Sequence, residues 1–105
     1  MAQFDVYHNP NTAQRTTFPY IIDIQNDLFV GYSTRLMMPV QRLQTQQHLL
    51  PRRLSTPIII DGERLYLAPH TCAAIPFKAL GNIVLSLGSD RSIVKDALDA
   101  INEGV

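Results

Sequence analysis

The stretch that decides the fold is Pro57-Ile58-Ile59-Ile60-Asp61-Gly62-Glu63-Arg64-Leu65-Tyr66-Leu67. Two apolar runs flank an Asp-Gly pair, and a two-residue type I′ turn needs a positive φ at both central residues. Asp-Gly meets that need, so the stretch predicts a β-hairpin whose return strand is Arg64–Leu67. The chain is therefore expected to be built from short antiparallel strands.

Four further stretches on either side of the hairpin predict strands. Gln3–Tyr7 alternates, with Phe4 and Val6 on one face and Asp5 on the other, which indicates a half-buried strand. Phe18–Gln25 is rich in strand-forming residues, and Ala73–Ala79 is predicted as a further short strand. Thr34–Val40 is also predicted as a strand, and Pro39 within it indicates an edge or a bulge.

Two polar stretches are predicted to connect these strands. Residues 8–17 are rich in Asn, Thr and Gln without an apolar period, which is typical of a loop. Residues 41–56 form the longest polar connection.

The chain ends on its one strong helical pattern, from Ser89 to Asn102. Ser89 is a good N-cap, and Asp90 in the first turn suits the helix dipole. Five apolar residues follow with helical spacing and form one stripe: Ile93, Val94, Ala97, Leu98 and Ile101. Several short strands and one terminal helix predict a mainly β fold, a small barrel with the helix packed on it. A β-rich domain that ends on its only good helix suggests that the tip of that helix binds a partner.

Composition limits the class of protein. A chain of 105 residues predicts a single domain over residues 1–105. Hydrophobic residues make up 46% and charged residues 17%, which is typical of a globular chain rather than a disordered one. Nine basic residues balance nine acidic ones, so no global charge attracts nucleic acid or membrane. With one cysteine, no signal peptide and no membrane span in the sequence, we expect a soluble cytoplasmic protein.

No pattern predicts catalysis, a metal site or a cofactor. Asp23, Asp27 and Asp61 lie in or beside predicted turns, where Asp commonly bonds its own backbone. The three histidines, at positions 8, 48 and 70, lack the close spacing of metal ligands. Cys72 beside two alanines is interpreted as a small buried apolar residue rather than a nucleophile.

Two loops leave a binding role open. Arg42, His48, Arg52 and Arg53 are consistent with a local basic patch, although a solvated loop is the simpler interpretation for a chain without net charge. The apolar loop containing Leu28, Phe29 and Tyr32 either fills the core or forms part of an interface.

Several segments, in order along the chain, resemble the CcdB family, the toxin half of plasmid and chromosomal toxin–antitoxin modules. Residues 3–7 are similar to the first strand of that family, and residues 20–27 to its Asp-Val-Gln-Ser-Asp signature. Residues 35–40 resemble its arginine-plus-apolar-proline strand, residues 57–63 its central hairpin, and residues 73–81 its Ala-Ser-Val-Pro-Val stretch. The ending Gly104-Val105 resembles the Gly-Ile terminus of the family.

The resemblance implies an SH3-like β-barrel with a C-terminal helix that forms a homodimer. It implies a toxin without catalytic activity, which binds the A subunit of DNA gyrase and traps its cleaved complex with DNA. A CcdA-like antitoxin would neutralise the toxin, and operator DNA would be contacted only through the antitoxin. The implied gyrase contacts are Leu28, Phe29, Asp99, Asn102, Glu103, Gly104 and Val105.

One stretch departs from the family pattern, and two alternative functions stay open. The family has two aromatic residues before its terminal Gly-Ile, where this chain has Asn102 and Glu103. The first alternative is a messenger-RNA-cleaving toxin of the MazF/Kid type, with Arg35 holding phosphate. The second is a degenerate, non-toxic homologue that only binds antitoxin.

Overall fold

A computed structural model describes residues 3–25, 34–42, 57–87 and 91–102 of the chain. These residues form a mainly β fold, in which seven strands make one curled, half-barrel sheet and a single helix follows at the C-terminal end. The strands are β1 (Asp5–His8), β2 (Tyr20–Asp23), β3 (Thr34–Gln41), β4 (Pro57–Ile60), β5 (Glu63–Leu67), β6 (Ala73–Pro76) and β7 (Ile83–Ser86), and the helix is α1 (Arg91–Asn102). The predicted fold class is thus confirmed.

The strands follow the order β4-β5-β3-β2-β1-β7 across the sheet, and every described pairing is antiparallel. Strand β3 has two partners on one of its sides, because Thr34 to Met37 pair with β6 whereas Val40 and Gln41 pair with β5. On its other side it pairs with β2, so β3 is a central strand.

The prediction of an edge strand or bulge at Pro39 was therefore wrong. Pro39 lies in the interval where the β6 ladder has ended and the β5 ladder has not begun. Its missing N–H breaks no described ladder on that side, and its carbonyl accepts a hydrogen bond from the Ala68 N–H at 3.0 Å.

The predicted Asp-Gly hairpin is confirmed. Asp61 and Gly62 have φ angles of 53° and 80°, as a type I′ turn requires, and Ile60 pairs directly with Glu63 across the turn. The turn fixes the register, so Ile58 and Ile60 face the core while Ile59 stays 66% exposed.

The main core lies inside the curled sheet and is closed by the helix. Its buried side chains come from every strand from β1 to β5 and from α1, and Val6, Ile22, Met38, Leu65 and Val94 are among them. Burying one such side chain contributes roughly 1.5–3 kcal/mol, which makes this cluster the main source of stability.

The opposite face of the sheet carries a second, smaller cluster. Tyr7, Ile21 and Met37 are buried there, with Ile75 and Leu80 packed against them.

Strand β1 is consequently buried on both faces, and Asp5 itself is only 5% exposed and accepts a hydrogen bond from the Ser86 hydroxyl. The prediction of a half-buried first strand was wrong, because the alternation of Asp5 with apolar residues does not reveal a covered polar side chain.

Helix α1 follows the predicted stripe. Val94 and Ala97 are buried, Ile93 and Leu98 are partly buried against the main core, and Lys95 is exposed. The predicted N-cap Ser89 lies outside the described residues, and the helix is described from Arg91 to Asn102.

Two other boundaries differ from the prediction. Strand β7 was not singled out from the sequence, and the end of the strand predicted at Ala73–Ala79 is a 3₁₀ turn at Phe77–Ala79. Residues 8–17, predicted as a loop, include a 3₁₀ turn at Thr12–Gln14. The buried Asn9 orders this loop, since its amide donates to the Phe18 carbonyl and accepts from the Asn11 N–H.

Candidate functional site

The candidate site is the end of the sheet at which β2 leads into residues 26–33 and these lead into β3. Of the seven predicted contact residues, the structure places Asp99, which is exposed on α1, and Asn102, the last residue of that helix. Leu28, Phe29, Glu103, Gly104 and Val105 lie outside the described residues, as does Asp27. The described atoms show how the chain on either side of residues 26–33 is held.

A buried ion pair holds these two strand ends together. The Arg35 guanidinium donates from Nε to Oδ2 of Asp23 at 2.8 Å and from Nη2 to Oδ1 at 3.0 Å. The Asp23 side chain is 0% exposed and that of Arg35 is 5% exposed. Two parallel hydrogen bonds between charged groups fix both position and angle, so the pair sets the separation of the strand ends.

Gln25 continues the connection beyond the last paired residues of β2. Its side-chain oxygen accepts from the Leu36 N–H at 2.9 Å, and its own N–H donates to Oδ1 of Asp23 at 3.0 Å. The Ile24 N–H donates to the Leu36 carbonyl at 3.0 Å. Together these bonds extend the order of the β2–β3 pair up to residue 25.

The sequence predicted that the Asp23 side chain bonds nearby backbone, as aspartate commonly does at a turn. The hydrogen bond from the Gln25 N–H to Asp23 is a bond of this kind. The prediction missed the ion pair. A signal was present, since opposite charges at Asp23 and Arg35 flank one connection between two predicted antiparallel strands.

Phe4 ties the same end of the sheet to the helix. Its N–H donates to the Asp23 carbonyl at 2.6 Å, and its carbonyl accepts from the Leu87 N–H at 3.1 Å. Its φ of 72° is unusual for a bulky residue, and backbone strain of this kind persists only where surrounding contacts hold it. The Nζ of Lys95 on α1 lies 6.0 Å from the centre of the Phe4 ring.

Asp99 follows Lys95 by four residues and therefore lies on the same side of α1. The helix surface that carries Asp99 thus begins one turn away from Phe4, which bonds directly to Asp23.

Cys72, the one cysteine of the chain, is poorly suited to act as a nucleophile. Burial raises the pKa of the Cys72 thiol above its ordinary value of 9.0, and its Sγ donates to the Pro69 carbonyl, so the reactive thiolate is disfavoured. This agrees with the interpretation of Cys72 as an apolar residue. No group of three metal-binding side chains occurs within the described part of the chain.

The comparison with protein families decides the relationship of the chain. The CcdB protein family matches residues 3–104 of the 105 residues. The chain belongs to the CcdB family. This membership confirms the predicted resemblance over nearly the whole chain and supports the role of toxin in a toxin–antitoxin module.

Two further findings complete the comparison. No curated protein matches the chain. Among the described helical residues, none form a helix that is both long and apolar enough to cross a membrane.

Proposed function

We propose that this CcdB-family protein is a toxin that binds the A subunit of DNA gyrase and traps the cleaved gyrase–DNA complex. The family match over residues 3–104 is the observation that carries the proposal. The proposed contacts are Leu28 and Phe29 in one segment and Asp99, Asn102, Glu103, Gly104 and Val105 at the C-terminal end.

The geometry around Asp23 supports a binding role for residues 26–33. A protein interface loses affinity when it must first order a free loop, and a rigid attachment reduces that cost. The bidentate pair and the Gln25 bonds supply such an attachment on both sides of Leu28 and Phe29.

Two experiments on purified protein test this proposal together. The first measures whether the protein stabilises the cleavage complex of gyrase on supercoiled DNA, which we expect at micromolar toxin. The second repeats the assay after removal of Gly104 and Val105, which should abolish trapping while circular dichroism stays unchanged. Absence of trapping by the intact chain, with gyrase shown active, would refute the proposed target.

We further propose that a CcdA-like antitoxin neutralises the toxin, that operator DNA is contacted only through that antitoxin, and that the toxin acts as a homodimer. Large apolar side chains at Leu36, Ile59, Phe77 and Ile83 are between 41% and 66% exposed, which a two-fold partner would reduce. Sedimentation should give about twice the chain mass of 11.8 kDa. A monomer at micromolar concentration would contradict the dimer.

The ribonuclease alternative is disfavoured by the position of Arg35. A phosphate-holding arginine must present its guanidinium to substrate, whereas Arg35 is 4% exposed and bonded twice to Asp23. We therefore propose that the protein acts by binding and not by catalysis. Incubation with messenger RNA should leave the RNA intact, and specific cleavage by the purified protein would restore the alternative.

The non-toxic alternative makes a different prediction. A degenerate homologue would bind antitoxin without trapping gyrase and would not reduce viability when expressed alone. We expect growth arrest on expression of the toxin and its relief when the cognate antitoxin is co-expressed.

A further inference from the structure

The chain just before β1 makes an irregular contact with the end of β2. From Val6 to His8 the two strands pair in a regular antiparallel register, which if continued would set Phe4 opposite Ile24. The Phe4 N–H instead donates to the carbonyl of Asp23, one residue short of that position, at 2.6 Å. The pairing therefore slips by one residue at Phe4, as it does in a β-bulge.

The backbone of Phe4 bridges two different strands. In a regular antiparallel strand the N–H and the carbonyl of one residue bond the same neighbour. The Phe4 carbonyl accepts from the Leu87 N–H at 3.1 Å, in the register that pairs Asp5 with Ser86, whereas its N–H bonds Asp23. The φ of 72° at Phe4 accounts for this split, and glycine is the residue that normally adopts such a conformation in a bulge.

Gln3 adds a side-chain bond next to the bridging backbone. Its Nε2 donates to the Ile24 carbonyl at 3.2 Å, and the Ile24 N–H donates to the Leu36 carbonyl on β3 at 3.0 Å. Gln3 and Phe4 thus hold two consecutive carbonyls, those of Asp23 and Ile24. We refer to Gln3 and Phe4 together as the β1 clasp.

The β1 clasp holds the side of β2 that the buried ion pair does not. Arg35 reaches the Asp23 side chain from β3, whereas the clasp bonds the backbone from the side of β1. The Phe4 ring is 7% exposed and belongs to the main core, so the clasp is anchored in the interior. The end of β2 is therefore held from both neighbouring strands immediately before residues 26–33.

Burial of the Phe4 ring does not by itself require this conformation. Val6 lies two residues later and is buried in the same core as a regular strand residue. A positive φ in a bulky residue carries a cost in free energy, which persists where a fixed geometry is needed. What the conformation adds at Phe4 is the bond to Asp23.

We propose that Gln3 and Phe4 are positioning residues for gyrase binding, because they fix the direction in which the chain leaves β2 for residues 26–33. The inference rests on the proposed function, since it concerns the gyrase contacts proposed in that segment. Bulges beside binding sites commonly redirect the chain in this way. Both residues act through the backbone of Asp23 and Ile24 and do not themselves contact gyrase.

Gln3→Met tests the clasp, because it keeps the length of the side chain and removes the amide donor. Amide hydrogen exchange at Ile24 and Gln25 should become about fivefold faster, the effect of losing one neutral hydrogen bond. Exchange at Asn9 and Arg42 should not change, because their N–H groups bond at the far end of the same strands. Unchanged exchange at Ile24 and Gln25 would overturn the proposal.

The same variant should bind the gyrase A subunit about three- to fivefold more weakly in calorimetry, while circular dichroism shows it fully folded. Gln14→Met is the matched control, since it makes the same substitution at an exposed glutamine in the β1–β2 connection. The control should stay within about twofold of the native affinity. Equal weakening by both variants, or native affinity in Gln3→Met, would overturn the positioning role.

A double-mutant cycle separates positioning from a general structural effect. If Gln3 acts through Leu28 and Phe29, Gln3→Met should cause no further loss of gyrase affinity in a chain that already carries Leu28→Ala and Phe29→Ala. Additive losses would show that Gln3 acts elsewhere and would overturn the proposal. A native chain that does not bind active gyrase would instead refute the proposed function and the positioning role with it, whereas the exchange rates would still report whether the clasp holds β2.

Discussion

Two ion pairs lie near opposite ends of β3, and each has a shortest N–O distance of 2.8 Å, yet their surroundings differ completely. The Asp23 and Arg35 side chains are 0% and 5% exposed, whereas those of Glu63 and Arg42 are 40% and 41% exposed. Distance alone would rank the two pairs as equal. Burial decides what each contributes, because water weakens a charge interaction and also solvates either partner when the other is lost.

The two ends of the sheet therefore have different roles. At the buried pair, both charges are occupied, and the pair orders the strand ends that flank residues 26–33. At the exposed pair, one nitrogen of Arg42 is occupied and the rest of its guanidinium reaches a cleft. One end is held by a buried pair, and the other leaves an arginine side chain partly exposed to solvent.

The largest expected effect follows from breaking the buried pair. Arg35→Met leaves Asp23 buried without its charged partner and should lower the free energy of unfolding by about 3–5 kcal/mol. Urea denaturation followed by circular dichroism measures this change.

The double variant Asp23→Leu, Arg35→Met is the matched control, since it removes both charges. It should recover a large part of the loss. A single variant that costs less than about 1 kcal/mol would place Asp23 in contact with water and remove the distinction between the two pairs.

The hairpin turn beside the exposed pair should matter more than the pair itself. Gly62 has a φ of 80°, and a Cβ added there meets nothing within 4 Å, so Gly62→Ala tests backbone conformation without a steric clash. We expect a loss of about 1–2 kcal/mol in thermal or urea unfolding. Gly81→Ala is the matched control, because that site is equally open and is not in the left-handed region; it should be close to neutral.

Breaking the exposed pair should have a small effect on stability. Glu63→Gln is expected to cost about 0.5 kcal/mol, and that cost should shrink further in high salt as the charges are screened. Urea unfolding at low and high ionic strength checks both points. A loss near that of Arg35→Met would mean that the pair is buried in solution.

The smallest expected effect is a loss of stability at alkaline pH, caused by two tyrosines, Tyr7 and Tyr20. The pKa of Tyr7 is raised above 10.0 by burial and then by Asp5 and Asp23, and that of Tyr20 by burial and then by Asp61 and Glu63. Above about pH 10 the unfolded chain loses these protons before the folded chain does, so stability should fall as the pH rises further. At neutral pH these two tyrosines should have no effect on the free energy of unfolding.

Phenylalanine variants check the assignment to these two tyrosines. Tyr7→Phe and Tyr20→Phe should each flatten the decline of unfolding free energy above about pH 10 relative to the native chain. A decline that is unchanged in both variants would show that neither tyrosine causes it.

The elements that the sequence predicted well are those in which local chemistry decides the structure. Asp61-Gly62 selects one turn, and the apolar stripe from Ile93 to Leu98 selects one helix face, so both followed from a few neighbouring residues. The family resemblance rested on short motifs in a consistent order, and the family match over residues 3–104 confirms it.

The features that the sequence did not predict depend on contacts between distant residues. Three such features depend on which strands are neighbours in the sheet. They are the burial of Asp5, the pairing of Asp23 with Arg35 and the central position of Pro39.

A further feature of this kind is a cleft whose lining includes His8, Arg15 and Arg42. It joins residues from three strand ends, so Arg15 and His8 gave no local signal of proximity to Arg42. The sequence had instead grouped Arg42 with His48, Arg52 and Arg53, which lie outside the described residues.

The central claim is that gyrase binds at the end of the sheet held by Asp23 and Arg35 and not at the end that carries Arg42. The most direct test measures binding to the gyrase A subunit by calorimetry with three proteins. These are the native chain, the double variant Leu28→Ala, Phe29→Ala, and Arg42→Gln. The double variant should weaken binding by more than about tenfold, as expected for apolar residues at the centre of an interface, while Arg42→Gln should stay within about twofold of the native chain. Equal losses in the two variants, or native affinity in the double variant, would contradict the assignment of gyrase to the end of the sheet held by Asp23 and Arg35.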